Sequence, residues 1–535
     1  MKVGRREFIT MLGGVATFDA ALAKPLETLD KMSESSSAGL VPRDVDFDPA
    51  EQTLAGLAQA QVDGRTSALS LTRAYLQRIA ACDRDGPRLA AVLSVNPDAL
   101  VIAKQLDDER HAGKLRGPLH GIPILIKDNI ETRDRIPTTA GSLALSETYH
   151  DIDAPVVARL REAGAIILGK ANLSEWASMR SSRMTSGWSA VGGQTRNAYD
   201  INRYPSGSSS GSAVAVAANM CGAAVGTDTY GSIIAPASVN CVVGLKPSAG
   251  VVSSEGVVPI SLRFDRVGPI ARTVDDAAVL LSVMTERSAE WSGSLTARGA
   301  GLAGIRIGVM PPTASAHPDA VRQSQDWFRL LSREGAVLVD VEPPESWQGM
   351  FDDVVIVLLH EFKAVINKYL AGLKGSTRVR SLAELIEFNV RNARAEMPYF
   401  GQEWFEQAEP CGPLSTPRYR TALHRLLRAA DDAGLSAVFS GNKVDVLAAP
   451  GAGPAELIDH IWGDRSENTG GWPLMCSAAC VAGYPSLTVP AGFVSGLPVG
   501  ISLVAPRLRE DLLLRVGRMF ERASAARRPP KFEFE

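Results

Sequence analysis

The chain has 535 residues, of which 45% are hydrophobic and 21% charged, and its net charge of -3 corresponds to an isoelectric point near 6.2. This composition is typical of a globular protein with a large core, and the slight negative charge disfavours nucleic acid or an anionic membrane as an obligate partner. After the N-terminal segment no uninterrupted apolar run reaches about 18 residues, so no membrane-spanning helix is predicted.

The N-terminal segment has the features of an export signal. Arg5 and Arg6 precede a weakly apolar stretch, interrupted by Asp19, that ends in a small-residue cleavage site at Ala23. This pattern predicts a twin-arginine-type signal peptide and a periplasmic or extracellular protein, or a cytoplasmic one if the leader is not functional. The polar, serine-containing residues that follow predict a flexible lead-in. The predicted organisation is a leader over residues 1–23, a lead-in over 24–48 and a single domain over 49–535.

Hydrophobic periodicity and turn residues divide this domain into alternating helices and strands. Strands are predicted at 122–126, 165–168, 444–449, 486–490 and 498–504. Helices are predicted at about 52–62, 67–83, 97–112, 154–163, 274–286, 318–334, 351–372 and 509–523. Such alternation predicts a layered α/β domain.

Two further segments have a distinct character. Residues 345–440 contain helical patterns and few strand signals, and we interpret them as a cap over a cleft. Residues 207–232 are rich in glycine and serine and are predicted to be mostly loop, with one helix at about 210–220.

The cysteines show neither zinc-ligand spacing nor a dense disulfide framework, so no cysteine metal site is predicted. No organic cofactor is predicted either. Cys476 and Cys480 are four residues apart, which favours one face of a buried helix. The six positions are Cys82, Cys221, Cys241, Cys411, Cys476 and Cys480.

Lys127 is the candidate base of an acyl-transfer site. Acyl transfer through a side chain requires an activated nucleophile, a proton acceptor and fixed donors for the oxyanion. The seven histidines are scattered, and none shares a segment with an obvious nucleophile. Lys127 follows the apolar run Gly121 to Ile126, which predicts a buried strand, and desolvation favours a neutral amine. The alternative is a strand-end lysine that extends to solvent.

Three sequence motifs favour the interpretation of Lys127 as a base over that of a solvent-exposed lysine. The chain contains Gly207-Ser208-Ser209-Ser210-Gly211-Ser212, then Gly226-Thr227-Asp228-Thr229-Tyr230-Gly231-Ser232, and then Gly244-Leu245-Lys246-Pro247. In sequence and spacing these motifs resemble the amidase signature family. The resemblance covers nearly the whole chain after the leader and implies an amidase-signature α/β fold, with a large central mixed β-sheet covered by helices on both faces.

The resemblance also assigns roles to individual residues. It implies that Ser232 is the acyl-forming nucleophile, that Ser208 bridges it to the base Lys127, and that a cis peptide bond joins Gly207 to Ser208. Backbone N–H groups of residues Thr229, Tyr230, Gly231 and Ser232 would form the oxyanion hole. Ser209 and Asp228 are supporting residues, and Asp228 is expected to hold its own turn by hydrogen bonds.

Three positions depart from the commonest family pattern, because Ser206, Ser210 and Tyr230 replace glycines. A tyrosine at positive φ would be strained, so we expect the oxyanion turn to keep Tyr230 at negative φ. The segments Asn172-Leu173-Ser174-Glu175-Trp176, Gly187-Trp188-Ser189 and Phe400-Gly401-Gln402-Glu403 resemble the peptide amidase branch of the family, which implies a carboxamide substrate such as a C-terminal peptide amide.

Several alternatives stay open at this point. Gly207 to Gly211 also satisfies the Gly-x-Ser-x-Gly pattern of α/β-hydrolases, with Ser209 as nucleophile and His424 or His460 as base, although a polar loop precedes it where that fold needs a strand. An amidase for small aliphatic or aryl amides, an amidotransferase-like glutaminase subunit that works with a partner, and a non-catalytic amide-binding homologue are further alternatives. The joint presence of Lys127, Ser208 and Ser232 disfavours the last, and the export leader disfavours an obligate partner subunit.

Overall fold

The structure is a computed structural model that describes residues 47–285, 301–313, 316–375, 377–464 and 473–532. The predicted leader over 1–23 and nearly all of the predicted lead-in over 24–48 lie outside the described residues. None of the helices in the described ranges combines the length and the apolar character needed to cross a bilayer.

Helices and strands alternate along the chain. The α-helices are α1 (Leu54–Val62), α2 (Ala68–Ile79), α3 (Ala99–His111), α4 (Pro155–Glu162), α5 (Ser210–Ala217), α6 (Ile234–Val239), α7 (Val274–Met284), α8 (Pro318–Arg333), α9 (Met350–Gly372), α10 (Leu382–Arg391), α11 (Ala393–Glu396), α12 (Glu403–Ala408), α13 (Pro417–Leu427), α14 (Ser436–Asn442), α15 (Leu474–Ala482) and α16 (Glu510–Ser524). The strands are β1 (Val92–Val95), β2 (Pro123–Lys127), β3 (Ile166–Ala171), β4 (Trp188–Ser189), β5 (Gly193–Gln194), β6 (Ala223–Asp228), β7 (Val243–Lys246), β8 (Arg266–Ala271), β9 (Arg306–Val309), β10 (Val337–Asp340), β11 (Val446–Pro450), β12 (Ser486–Val494) and β13 (Leu497–Val504).

The described strands other than β4 and β5 form one mixed sheet of eleven strands, flanked by helices, in the order β1-β3-β2-β6-β8-β7-β12-β13-β11-β9-β10. The neighbours β3, β2 and β6 run parallel, whereas β6 and β8 are antiparallel. Every residue of β2, β3 and β6 is buried, which explains the continuous apolar runs of β2 and β3 in the sequence. The predicted α/β fold with a mixed central sheet is confirmed.

Local sequence explains where several helices begin. The hydroxyl of Ser67 accepts the N–H of Ser70 at the start of α2, and Thr273 does the same for Asp276 at the start of α7. Pro155 occupies the first turn of α4, where its missing N–H costs nothing. These capping residues lie where the amphipathic patterns begin, and the helices predicted from those patterns are all present within a few residues.

The prediction of a mostly loop region around residues 207–232 was wrong. Ala223 to Asp228 forms the interior strand β6, and the following β7 and β8, which were not predicted, lie close to it in the sheet order. These strands contain glycine and alanine because neighbouring segments approach closely. A Cβ atom at Gly226 would lie 2.8 Å from the Ser209 hydroxyl oxygen. Packing in three dimensions therefore overrides the weak local β propensity.

The helix-rich segment from α9 to α14 is present, and it packs through apolar clusters that it shares with neighbouring elements. Phe362 and Phe405 stack with their ring centroids 5.3 Å apart, and Phe405 meets the edge of Trp176 at 5.9 Å. The role of this segment as a cap over the cleft stays a prediction. Cys476 and Cys480 both lie buried on α15 as free thiols, which confirms the helical interpretation.

Candidate active site

Lys127 and Thr227 lie side by side because they lie at the ends of two adjacent parallel strands. β2 pairs with β6 in parallel, with Ile126 opposite Val225, so the carboxyl ends of both strands meet at one edge of the sheet. This edge is where open α/β sheets commonly bind ligands. The Lys127 side chain is fully buried there, at 0% exposure.

Three oxygen atoms surround the Lys127 amine. Its Nζ lies 2.8 Å from Ser208 Oγ, 2.8 Å from Thr227 Oγ1 and 3.3 Å from the Thr227 carbonyl oxygen. Burial lowers the pKa of Lys127 from 10.5 to about 7, against the opposing attraction of the Asp228 and Asp265 carboxylates. The alternative of a lysine exposed to solvent is thereby excluded, and a neutral amine is accessible near neutral pH.

The loop that carries Ser208 is held from several sides. The peptide bond between Gly207 and Ser208 is cis, as the family resemblance implies. The Ser208 carbonyl accepts the N–H of Ser174 at 3.2 Å, and the Ser208 side chain is buried. Ser209 follows at the start of α5, and its N–H donates to the Ser232 carbonyl oxygen at 3.1 Å. The two serine motifs are thus joined directly by a backbone hydrogen bond.

Asp228 organises the turn that leads to Ser232. Its buried carboxylate accepts the N–H of Gly231 at 2.8 Å and that of Ile233 at 2.7 Å. This confirms the expected hydrogen bonding of Asp228 to its own turn. It also corrects the predicted oxyanion set, because the Gly231 amide is already engaged by Asp228.

The neighbouring amides remain available for an oxyanion. Over the described ranges, the N–H groups of Tyr230 and Ser232 donate no hydrogen bond to a backbone or side-chain acceptor. Tyr230 is absent from the described residues that have positive φ, whereas Gly231 has a φ of 99°. The turn therefore places its positive φ on the glycine and accommodates tyrosine without backbone strain, as we expected. Tyr230, Ser232 and Thr229 remain the candidate donors.

The Tyr230 side chain connects this turn to other elements. Its ring lies 6.2 Å from that of Phe351 on α9, and its hydroxyl forms a hydrogen bond with Ser477 on α15. Burial raises the pKa of Tyr230 to about 12, so the phenol is neutral. Phe351 itself is 54% exposed. Tyr230, one of the three residues that depart from the family pattern, therefore connects the turn before Ser232 to the helix-rich segment.

The alternative with Ser209 as nucleophile is contradicted by the structure. The Ser209 hydroxyl donates to the Thr227 carbonyl at 3.0 Å and accepts the Thr227 N–H at 3.2 Å. His460 instead contacts Gln194 at 3.0 Å and stacks on Tyr399, and His424 lies on α13. Residues 202–206 form no strand, so the strand that a nucleophile elbow requires does not precede Gly207.

The segments that resemble the peptide amidase branch meet around a buried arginine. The guanidinium of Arg180 lies 4.5 Å from the ring centroid of Phe400 and 4.9 Å from that of Trp188. It also pairs with the buried Glu175 at 3.0 Å and hydrogen-bonds to the carbonyl of Glu396. The sequence motifs identified the aromatic segments but not Arg180, which joins them to the helix-rich segment.

The cluster of residues around Arg180 is also connected to the Ser208 loop by hydrogen bonds. The Gly187 N–H, next to Trp188, donates to Ser174 Oγ at 2.9 Å, and the Ser174 N–H in turn donates to the Ser208 carbonyl. The segment that contains Trp188 is therefore two hydrogen bonds away from the cis serine, and the segment that contains Ser174 and Trp176 is one hydrogen bond away.

Three further residues at the site had no predicted role: Asn129, Thr227 and Asp265. Asn129 donates from Nδ2 to Thr227 Oγ1 at 3.0 Å, and the carboxylate of Asp265 accepts the Thr229 hydroxyl at 2.7 Å. Thr227 lies inside the second serine motif, yet no role was predicted for it. The parallel pairing of β2 with β6 is the signal that identifies it, and that pairing was hidden because β6 was predicted as loop.

Comparison with known proteins identifies the family to which the chain belongs. The family model described as Amidase matches residues 70–514, and the chain belongs to the amidase signature family. A probable amidase of Arabidopsis thaliana is 38% identical over 507 residues, covering 91% of this chain and 92% of that protein. The protein is accordingly an amide hydrolase.

Within that class, the chain is similar to the native peptide amidase of Stenotrophomonas maltophilia. The two are 44% identical, with a TM-score of 0.83, over 90% of this chain and 99% of that one. A glutamyl-tRNA(Gln) amidotransferase subunit of Chloroflexus aurantiacus is 34% identical, covering 88% of this chain and 96% of that protein.

Proposed function

We propose that this amidase uses Lys127, Ser208 and Ser232 as a catalytic triad and hydrolyses C-terminal peptide amides to carboxylate and ammonia. The observation that carries the proposal is the buried 2.8 Å contact between Lys127 Nζ and Ser208 Oγ, in surroundings that lower the lysine pKa to about 7. A neutral lysine at this position is a proton acceptor matched to neutral pH.

The chemistry follows from these groups. Neutral Lys127 accepts the proton of Ser208 while Ser208 accepts that of Ser232, and Ser232 Oγ attacks the carboxamide carbon. Backbone N–H groups next to Ser232 stabilise the oxyanion that forms. The relay then returns the proton to the leaving nitrogen, the C–N bond breaks and ammonia departs. Water hydrolyses the acyl-enzyme by the reverse path and regenerates Ser232.

The proposed substrate class rests on the sequence identity to a peptide amidase and on the cluster of residues around Arg180. Identity to the peptide amidase, at 44%, exceeds that to the amidotransferase protein, at 34%. The aromatic segments around Arg180, which resemble the peptide amidase branch, form one continuous contact with the Ser208 loop. These two observations favour a peptide amide over a small aliphatic or aryl amide and over glutamine.

A substrate panel tests the proposal. Ammonia release is measured from peptide amides, aryl amides, short aliphatic amides and glutamine, with the wild-type protein and with Ser232→Ala and Lys127→Ala. Ser324→Ala is the control, since Ser324 is shielded from solvent, as Lys127 is, and its hydroxyl donates to the Val321 carbonyl within α8. We expect the highest kcat/KM on peptide amides, its loss in both active-site variants, and wild-type activity in the control.

Two outcomes would contradict parts of this proposal. Turnover of aliphatic amides or glutamine without turnover of peptide amides would remove the substrate assignment while leaving the triad intact. Full activity of a folded Ser232→Ala or Lys127→Ala protein would remove the triad itself.

A further inference from the structure

Thr227 contacts the Lys127 amine through two different oxygen atoms. Its hydroxyl lies 2.8 Å and its carbonyl 3.3 Å from Nζ, and the third neighbour of the amine is Ser208 Oγ at 2.8 Å. All three residues are buried, at 0%, 4% and 0% exposure for Lys127, Thr227 and Ser208. Thr227 therefore supplies two of the three groups that surround the proposed base.

The hydrogen-bonding capacity of a neutral amine determines what these contacts do. A neutral lysine has two N–H donors and one lone pair, and only the lone pair can accept a proton. The Thr227 carbonyl can only accept a hydrogen bond, so one N–H is directed to it. If the second N–H is directed to the Thr227 hydroxyl oxygen, the lone pair is left facing Ser208. That orientation is the one a base acting on Ser208 requires.

The position of the Thr227 hydroxyl is fixed from its other side. Asn129 Nδ2 donates to Thr227 Oγ1 at 3.0 Å, and the Asn129 side chain is itself buried. The Thr227 carbonyl also accepts the Ser209 hydroxyl at 3.0 Å, at the start of the helix that follows Ser208. Both Thr227 oxygens are thus tied to groups other than the lysine, and the amine meets a rigid pair of acceptors.

We propose that Thr227 is a positioning residue that orients the lone pair of neutral Lys127 toward Ser208. This inference rests on the proposed function of Lys127 as the base, and it extends that function to a residue that acts only through Lys127. The charged groups that act on the amine are the carboxylates of Asp228 and Asp265, which the experiment leaves unchanged.

The test compares substitutions that keep or remove the hydroxyl. Thr227→Val removes it with little change in volume, and Thr227→Ser keeps it. Thr488→Val is the matched control, because Thr488 is a buried strand threonine of the same sheet whose hydroxyl bonds to the Ile501 carbonyl. Kinetic constants for a peptide amide are measured with the full chain between pH 5 and 10, with circular dichroism to verify folding.

We expect Thr227→Val to lower kcat about 10- to 100-fold, the range for losing a hydrogen bond to a reacting group, with KM little changed. The acid limb of its pH–rate profile moves to lower pH, because the ammonium form of Lys127 loses a hydrogen-bond acceptor and is destabilised more than the neutral form. Thr227→Ser restores most of the activity and the wild-type acid limb, and Thr488→Val matches the wild type throughout. If Thr227→Val does not fold, Thr227→Ala removes the same hydroxyl without placing a methyl group against the amine.

Wild-type kcat and an unmoved acid limb in a folded Thr227→Val or Thr227→Ala protein would overturn the inference. An equal loss of kcat in Thr227→Ser and Thr227→Val would do the same, since the hydroxyl is present in only one of them. Failure of the proposed function can be distinguished from failure of the Thr227 inference. If the proposed function is wrong, the wild-type protein itself does not react at Ser232 with a fluorophosphonate.

Discussion

The pH dependence of turnover follows from the burial of Lys127. Its pKa is lowered from 10.5 to about 7, so the amine is half neutral near pH 7 and about one hundredth neutral at pH 5. If the neutral amine is the base, kcat/KM falls about tenfold for each pH unit below 7. The assay is ammonia release from one peptide amide between pH 4 and 9, after verifying that the protein is folded at each pH.

An acid limb with an apparent pKa near 7 is the expected result. A rate that stays constant down to about pH 5, or a limb centred near pH 4, would contradict a lysine base and indicate a carboxylate. The carboxylates that act on the amine, Asp228 and Asp265, raise the lysine pKa, so removing either charge would move the limb further to the acid side.

The same pKa shift has a consequence for stability. Between pH 7 and 10.5 the unfolded chain binds a proton at residue 127 that the folded chain does not, so the free energy of unfolding rises with pH in this window. Lys127→Met removes this contribution. The free energy of unfolding of wild type and Lys127→Met is measured by urea titration at pH 7 and at pH 9. We expect the wild type to gain about 2 kcal/mol of stability relative to Lys127→Met between these two pH values. A difference independent of pH would refute the lowered pKa.

The other predictions concern the surroundings of the triad. Tyr230→Gly, which removes the contact with Phe351, should change the ratio of kcat/KM between bulky and small peptide amides more than it changes stability; an unchanged ratio would exclude a specificity role. Arg180→Met leaves Glu175 buried without its cation and should lower the free energy of unfolding by about 3–5 kcal/mol, measured by urea titration. Ser209→Ala should keep the chemistry, since its hydroxyl bonds to the Thr227 backbone, and loss of all turnover with the fold intact would contradict this. Replacing Arg5 and Arg6 by lysine should retain the protein in the cytoplasm if the leader functions, as cell fractionation would show.

The helices and several strands could be predicted because their sequence patterns are local. The run Ile122 to Ile126 contains only apolar residues and proline, and the structure places most of it in the fully buried strand β2. β6 could not be predicted in this way, because Ala223 to Asp228 has low β propensity and its position depends on close packing against Ser209. The strands β9 and β10, at one end of the sheet, were missed as well, since each has only four residues.

The candidate site likewise combines features that local sequence predicts with features that depend on contacts between distant segments. Ser208 and Ser232 were identified from motifs, which record residue types at fixed spacing, and Lys127 was identified from the apolar run that precedes it. The contact of Thr227 with Lys127 joins residues 100 positions apart and depends on the parallel register of two strands. The engagement of the Gly231 amide by Asp228 is a matter of backbone direction, which a motif does not specify. Sequence patterns therefore predicted the candidate residues, and the fold shows which of their atoms are already engaged in hydrogen bonds.

Covalent labelling of Ser232 tests the central claim most directly. The folded, active protein is treated with a fluorophosphonate that reacts with activated serines, and the modified residue is mapped by peptide mass spectrometry. We expect modification of Ser232 in step with loss of amide hydrolysis, and much slower modification in Lys127→Ala. Modification of Ser208 or Ser209 instead, or full inactivation with Ser232 unmodified, would contradict the central claim.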